Sequence, residues 1–200
     1  MYRNNFRRLN SSVRNRYNNR RKLNCSAFVG MDVEEIEQQI EANIYEAFQD
    51  VTNTEMNVFE TFPEVNVYAE VTARGAESFV DVELDINAGE GLDRVQCYTR
   101  IAEDYAPVDV FNACTNLVKE AIADIKENME EIFFDYFDAH SKQAKLVEAN
   151  VIPGSQYNLW EIDAVVEVAP EQEQAYTVRT TPDRKSVEEA AQSILSWKNF

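Results

Sequence analysis

The amino-acid sequence predicts an α+β fold in which antiparallel sheets pack on a long central helix. Two groups of three short segments alternate apolar and polar residues, which is the pattern of half-buried strands. Between these groups lies one long segment with apolar residues at steps of three and four, the pattern of an amphipathic helix. With 200 residues, 44% of them hydrophobic, the chain can bury a sizeable core.

The first half of the chain contains a helix, three strands and the long helix. Apolar residues at helical spacing predict a helix over 32–51, and alternation predicts strands over 64–73, 78–86 and 94–102. Pro107 then begins a helical pattern that ends near residue 138, and a helix of that size is about 45 Å long. Its predicted apolar stripe contains Phe111, Cys114, Val118, Ile122, Ile125, Met129, Ile132, Phe133 and Tyr136.

The second half repeats the order of the first. Strands are predicted over 144–152, 157–168 and 174–181, and a closing helix over 186–197, with Ser186 and Glu189 as a capping box. The apolar positions of 78–86 align with those of 157–168 at an offset of 80 residues. Either a duplicated helix and three-strand unit or the chance similarity of short strands accounts for this.

We therefore expect three regions in the chain. A basic extended arm occupies residues 1–30, an α+β unit of helix, three strands and long helix occupies 31–140, and a second unit of three strands and a helix occupies 141–200.

Charge is divided sharply between the arm and the rest. Residues 2–24 contain eight basic residues and no acid, whereas residues 25–200 contain 11 basic and 36 acidic residues, a formal charge of −25. The basic residues of the arm are the predicted site for nucleic acid or neighbouring subunits: Arg3, Arg7, Arg8, Arg14, Arg16, Arg20, Arg21 and Lys22.

Three hypotheses account for the arm. As an extended polycation rich in asparagine, it would bind phosphate, since arginine makes bidentate contacts with it. As a basic helix with Tyr2, Phe6, Leu9, Val13 and Tyr17 on one stripe, it would be a mitochondrial import presequence or membrane anchor. As a docking segment, it would lie on the acidic surface or carboxylate-lined sheet face of its own or a neighbouring subunit.

Little in the sequence points to catalysis. Nucleophilic catalysis with a histidine base would depend on His140, which lies where a histidine commonly bonds the last carbonyls of a helix. Carboxylates alternate on two predicted strands and would suit Mg²⁺ or Ca²⁺, but such alternation is also how a sheet faces water. These are Asp81, Glu83 and Asp85 on one strand, and Glu161, Asp163 and Glu167 on the other.

Cysteine and tryptophan positions favour a reduced, packed interior. Cys25, Cys97 and Cys114 are odd in number without zinc spacing, so we expect reduced thiols. Trp160 and Trp197 fall on apolar faces and are expected in the core. No segment is apolar enough for a membrane span or a secretory signal.

The sequence thus predicts a non-enzymatic assembly or interaction protein, without cofactor, that forms homo-oligomers and lies in the cytoplasm or a virion. In composition the arm resembles the basic arms of viral capsid and other packaging proteins, and that resemblance implies a virion or phage structural component. A metal-dependent enzyme that uses the sheet carboxylates and an imported mitochondrial matrix protein are the alternatives.

Overall fold

The computed structural model describes residues 27–28, 30–53, 58–74, 77–102, 105–153 and 159–197. Its α+β architecture confirms the predicted fold class, with a central helix that contacts both sheets. The helices are α1 (Val33–Thr52), α2 (Pro107–His140) and α3 (Arg184–Trp197), and Val58–Thr61 forms a single helical turn that the sequence did not predict. The strands are β1 (Glu64–Arg74), β2 (Glu77–Asn87), β3 (Val95–Ala102), β4 (Lys145–Pro153), β5 (Trp160–Ala169) and β6 (Gln172–Thr180).

Helix α1 begins at a capping box and buries one stripe of its surface. The amide of Glu35 donates to Asp32 at 3.0 Å, and the amide of Asp32 donates to Glu35 at 2.8 Å, so two amides of the first turn are satisfied. The helix ends at Asn53, whose φ of 51° is left-handed. The buried residues recur at helical spacing: Ile36, Ile40, Ile44, Ala47, Phe48 and Thr52.

Each sheet is an antiparallel meander whose middle strand has the most deeply buried inner face. The order is β1-β2-β3 in one sheet and β4-β5-β6 in the other. The inner-face residues of β2 and β5 are at most 1% exposed: Val80, Val82, Leu84 and Ile86, and Trp160, Ile162, Ala164 and Val166. These are the positions that the sequence aligned between the halves.

The buried stripe of α2 turns gradually around the helix. Its buried residues are Val110, Cys114, Leu117, Val118, Ala121, Ile122, Ile125, Met129, Phe133 and Phe137. The last four follow at steps of four, and each such step rotates the side chain by about 40° beyond a full turn. This rotation allows one helix to cover both sheets. The stripe predicted from the sequence assumed one fixed face of the helix. It therefore included Phe111, Ile132 and Tyr136, which are only half buried.

The packing order of the first half recurs in the second. In the first sheet α1 contacts β1 and α2 contacts β3, while in the second α2 contacts β4 and α3 contacts β6. Each sheet therefore has two helices on its inner face, with α2 shared between them. A helix and three-strand unit used twice would give this arrangement, and the duplication itself stays a prediction. The division of the chain at residue 140 stays a prediction.

The two halves also meet at a pair of loops. The loop between β2 and β3 contains Gly89, where an added Cβ would lie 1.9 Å from the carbonyl oxygen of Pro182. Next to it, the amide of Arg184 donates to the carbonyl of Glu90 at 2.9 Å. Only glycine permits this approach, so the predicted hairpin turn is also a contact between halves.

Two details of the sequence prediction are wrong. Asp183, not Ser186, caps α3, because the helix begins earlier and the Ser186 amide donates to Asp183 at 2.9 Å. Trp197 is 63% exposed and contacts the ring of Tyr176, with centroids 5.9 Å apart. It lies on the apolar stripe of α3 but is its last residue, where burial is incomplete.

Among the helices that the structure describes, none combines the length and apolar character required to span a membrane.

Candidate functional site

The eight basic residues predicted to bind nucleic acid or neighbouring subunits, Arg3 to Lys22, lie outside the described residues. The apolar stripe from Tyr2 to Tyr17 and the thiol of Cys25 lie outside them as well. Phe28, near the end of the segment 1–30 predicted as the arm, is 0% exposed and belongs to the core. The basic residues are therefore followed closely in sequence by a folded body, and the described surfaces are those of that body.

The carboxylates on the outer face of β2 are bonded by residues of the neighbouring strands. Asp81 accepts from the guanidinium of Arg100 at 2.5 Å and from the hydroxyl of Thr72 at 2.9 Å. Glu83 accepts from the hydroxyl of Tyr98 at 3.1 Å. Arg100 and Tyr98 lie directly opposite these acids in the antiparallel register, which is why each pair meets.

Asp85 differs from an ordinary surface carboxylate, because it is only 5% exposed. The guanidinium of Arg94 donates to both of its oxygens, at 2.5 and 2.6 Å, and also reaches Glu64 at 3.5 Å. The hydrogen bond to Asp85 raises the pKa of Arg94 above its usual value. Burial, together with the charges of Asp85 and Glu83, raises the pKa of Tyr68 beside them. Asp85 is therefore an exception to the water-facing surface that alternation on this strand indicated.

The outer face of β5 follows the same scheme. Glu161 accepts from Arg179 at 3.2 Å, and Asp163 accepts from the hydroxyl of Thr177 at 2.6 Å. Glu167 accepts from the amide of Glu171 at 3.4 Å. Glu161 and Asp163 thus have partners on the neighbouring strand, as in β2, and Glu167 has one in the turn between β5 and β6.

This pairing bears on the metal hypothesis. Among the described residues, no group of three or more histidine, cysteine or acidic side chains is placed to hold a metal ion. The six sheet carboxylates accept hydrogen bonds from arginine, tyrosine, threonine and backbone donors. These bonds explain the acids as part of the sheet surface. Arg94, Tyr98 and Arg100 were missed in the sequence, although they alternate with buried residues at the same period of two.

Carboxylates greatly outnumber basic residues on two of the helices. Helix α1 contains six carboxylates and no basic residue, and α2, which packs against it, contains eight carboxylates and two lysines. Burial and then the charge of Glu37 raise the pKa of Glu41 within this surface. We call the outward surface of α1 and α2 the acidic helix face.

The single histidine and the described thiols have structural roles. Nδ1 of His140 lies 2.8 Å from the carbonyl of Tyr136, and its ring stacks on that tyrosine at 4.1 Å, as predicted for a residue at the end of a helix. Cys97 and Cys114 are free thiols at 1% and 0% exposure. Burial, with a contribution from Glu120 and Asp124 at Cys97, raises the pKa of each to about 12, so neither is a thiolate nucleophile at neutral pH.

Comparison with known proteins adds no identity to these observations. No model of a known protein family matches the chain, and no curated protein matches it. The function must therefore be argued from its own residues and contacts.

Proposed function

We propose that the chain is a non-enzymatic assembly or interaction protein whose arginine-rich N-terminal arm contacts nucleic acid or neighbouring subunits. The setting that suits this role is a virion or phage particle, or the cytoplasm in which such a particle assembles. The observation that carries the proposal is the separation of charge: eight basic residues without an acid precede a body of formal charge −25.

The separation of charge assigns different tasks to the arm and the body. The acidic helix face repels phosphate at short range, because charges on the surface act over a Debye length of about 8 Å at physiological salt. Contacts with nucleic acid are therefore confined to the arm, where arginine forms bidentate bonds with phosphate. The body supplies a rigid core and surfaces for other contacts.

The acidic helix face also supports the subunit alternative. A segment of eight cations is complementary to a helix pair with fourteen carboxylates and two lysines. The sheet faces are less suited to the arm, because Arg94, Arg100 and Arg179 bond their carboxylates and reduce the negative charge there. The arm of a neighbouring copy would thus lie on α1 and α2. Nucleic acid would compete with these helices for binding to the arm.

The decisive experiment measures binding of a fluorescent single-stranded oligonucleotide by anisotropy, for the wild type and for a variant with all eight arm cations replaced by glutamine. We expect the wild type to show a slope of log K against log salt near about −6, since eight phosphates are neutralised. We expect the variant to lose essentially all binding.

Two control variants separate charge from other effects. Replacing the seven arm arginines by lysine keeps the charge, and should keep the salt slope while weakening bidentate contacts. Replacing Lys142 and Lys145 on the body by glutamine should change neither the affinity for the oligonucleotide nor the salt slope. If the glutamine variant of the arm binds as tightly as the wild type, the arm is not the nucleic-acid contact and the proposal is wrong.

Light scattering on the same proteins tests the subunit alternative. An oligomer held by the arm dissociates in the glutamine variant and at high salt. Added oligonucleotide should also dissociate it, because both ligands use the same cations.

A further inference from the structure

Strand β1 leaves a long and regular edge of its sheet unpaired by any described strand. It pairs with β2 along all eleven residues without a register shift, and β2 pairs with β3 on its other side. We propose that this edge pairs in antiparallel fashion with β1 of a second copy, joining two three-stranded sheets into one sheet of six strands.

The edge of β1 lacks the lysine, proline and bulge that protect many sheet edges against such pairing. Edge strands are commonly shortened, bent by a bulge, or marked by lysine or proline. The corresponding edge strand of the second half, β4, has a lysine, a bulge and a proline. They are Lys145 at its start, a register shift around Val147 and Pro153 at its end. Strand β1 contains no lysine, no proline and no register shift, and its charged residues are Glu64, Glu70 and Arg74. It is also the longest of the four edge strands among the described residues.

Burial of the inward residues gives independent support. Val65, Val67 and Val71 lie opposite the core residues of β2, yet they are only half buried. The inward residues of β4, in contrast, are at most 8% exposed: Leu146, Ala149 and Val151. A further strand and its covering helix would complete the burial of the three valines, which stabilises association in proportion to the apolar area removed from water.

The sequence of β1 is complementary to itself in one register. Pairing all eleven residues with a second copy places the twofold axis at Ala69, so that Val67 lies opposite Val71 and Tyr68 opposite Glu70 of the partner strand. Asn66 then lies opposite Thr72, and the strand ends, Glu64 and Arg74, have opposite charges in the sequence. Apolar positions meet apolar ones, and the acids avoid direct opposition.

Strand pairing and the contacts proposed for the arm respond oppositely to salt. Two chains of net charge −17 repel one another, and added salt screens that repulsion. Contacts of the arm with phosphate or carboxylates weaken with salt instead. Measurements at about 0.5 M NaCl, where the Debye length is roughly 4 Å, therefore detect strand pairing without the contacts of the arm. Absence of strand pairing there would not count against the function proposed for the arm.

The first experiment tests the register by disulfide formation in full-length protein with Cys25 replaced by serine. Val67→Cys and Val71→Cys variants are oxidised separately and as a mixture, and the products are separated without reductant. In the proposed register residues 67 and 71 of different copies are opposite neighbours, whereas like residues are about 13 Å apart along the strand. Cys97 and Cys114 do not interfere, because both are buried.

We expect the mixture to form a disulfide-linked heterodimer and each single variant to remain largely monomeric on the gel. Equal yields from the single variants and the mixture would overturn the register, as would no product from any sample.

The second experiment measures the dimer dissociation constant by sedimentation equilibrium at about 0.5 M NaCl. Val67→Lys places a charge on the inward side of the edge and should raise the dissociation constant at least about tenfold. The control is Val147→Lys on β4, a residue already 45% exposed, which should change it less than about twofold. A wild type that stays monomeric at about 100 µM, or a dimer indifferent to Val67→Lys, would overturn the proposal.

Discussion

Asp85 shows how a single carboxylate on the outer face of a strand can become part of the structure. Its neighbours exclude water, and a bidentate pair with Arg94 replaces the lost hydration. Removing one partner of such a pair leaves the other charge without compensation, although Arg94 keeps 46% of its side chain exposed to water and recovers part of the loss.

We predict that Asp85→Asn lowers the free energy of unfolding by about 2 kcal/mol, as expected for a hydrogen bond to a charged group. Urea unfolding of Asp85→Asn, Arg94→Gln and the double variant measures this and the coupling between the two. Glu161→Gln is the matched control, because its partner Arg179 is 62% exposed, and we expect under about 0.5 kcal/mol. Additive effects at Asp85 and Arg94 would show that the two are not coupled.

At the scale of elements, the start of α3 depends on Asp183. Its carboxylate accepts from the Ser186 amide at 2.9 Å and from the Thr181 hydroxyl at 2.5 Å. Burial alone would raise the pKa of Asp183, but these hydrogen bonds lower it below the ordinary value. The ionised side chain therefore stabilises the fold above the pKa of the unfolded chain, and this stability is lost as pH falls through the lower pKa of the folded state.

We predict that Asp183→Ala costs about 1 kcal/mol at neutral pH through loss of the cap. Asp183→Asn should retain most of the cap, since asparagine is a good N-cap residue, but its stability should fall less in acid than that of the wild type. Unfolding free energies measured from pH 7 to about pH 3 test both points. Glu189→Gln on the same helix is the control, and an acid limb unchanged by Asp183→Asn would contradict the role of its ionisation.

Hydrophobic periodicity predicted the elements well. The three long helices and six strands lie within a few residues of their expected bounds, because both patterns repeat over many residues. The turn Val58–Thr61 is too short to show a period, and it was missed. The stripe of α2 was only partly predicted, because the sequence does not show that one helix serves two sheets and must turn its buried face between them.

At the scale of the whole molecule, the contact at Gly89 couples the halves. A β-carbon there would collide with backbone at Pro182 and separate the loop from the start of α3. The hydrogen bond from Arg184 to Glu90 would then be lost or stretched. The long helix would remain as the main connection between the two sheets.

We predict that Gly89→Ala destabilises the protein by about 2 to 3 kcal/mol, the usual cost of forcing atoms into a packed site. Circular dichroism reports both halves, whereas tryptophan fluorescence reports β5 and α3, so the two transitions should cease to coincide if the halves uncouple. Glu90→Ala, which keeps the carbonyl that Arg184 uses, should change stability by less than about 0.5 kcal/mol. A stability of Gly89→Ala equal to that control would show that the loop contact contributes nothing.

The amino-acid sequence alone sufficed to predict the fold class, the order of the elements and the separation of a cationic arm from an anionic body. These properties are local or additive, since periodicity and charge are carried by each segment alone. Packing in three dimensions settles which carboxylates are bonded by neighbouring strands, which glycine touches the other half and which sheet edge pairs with no described strand. Those outcomes depend on residues far apart in sequence, such as Asp85 with Arg94 and Gly89 with Pro182, that become neighbours only when the strands and helices pack.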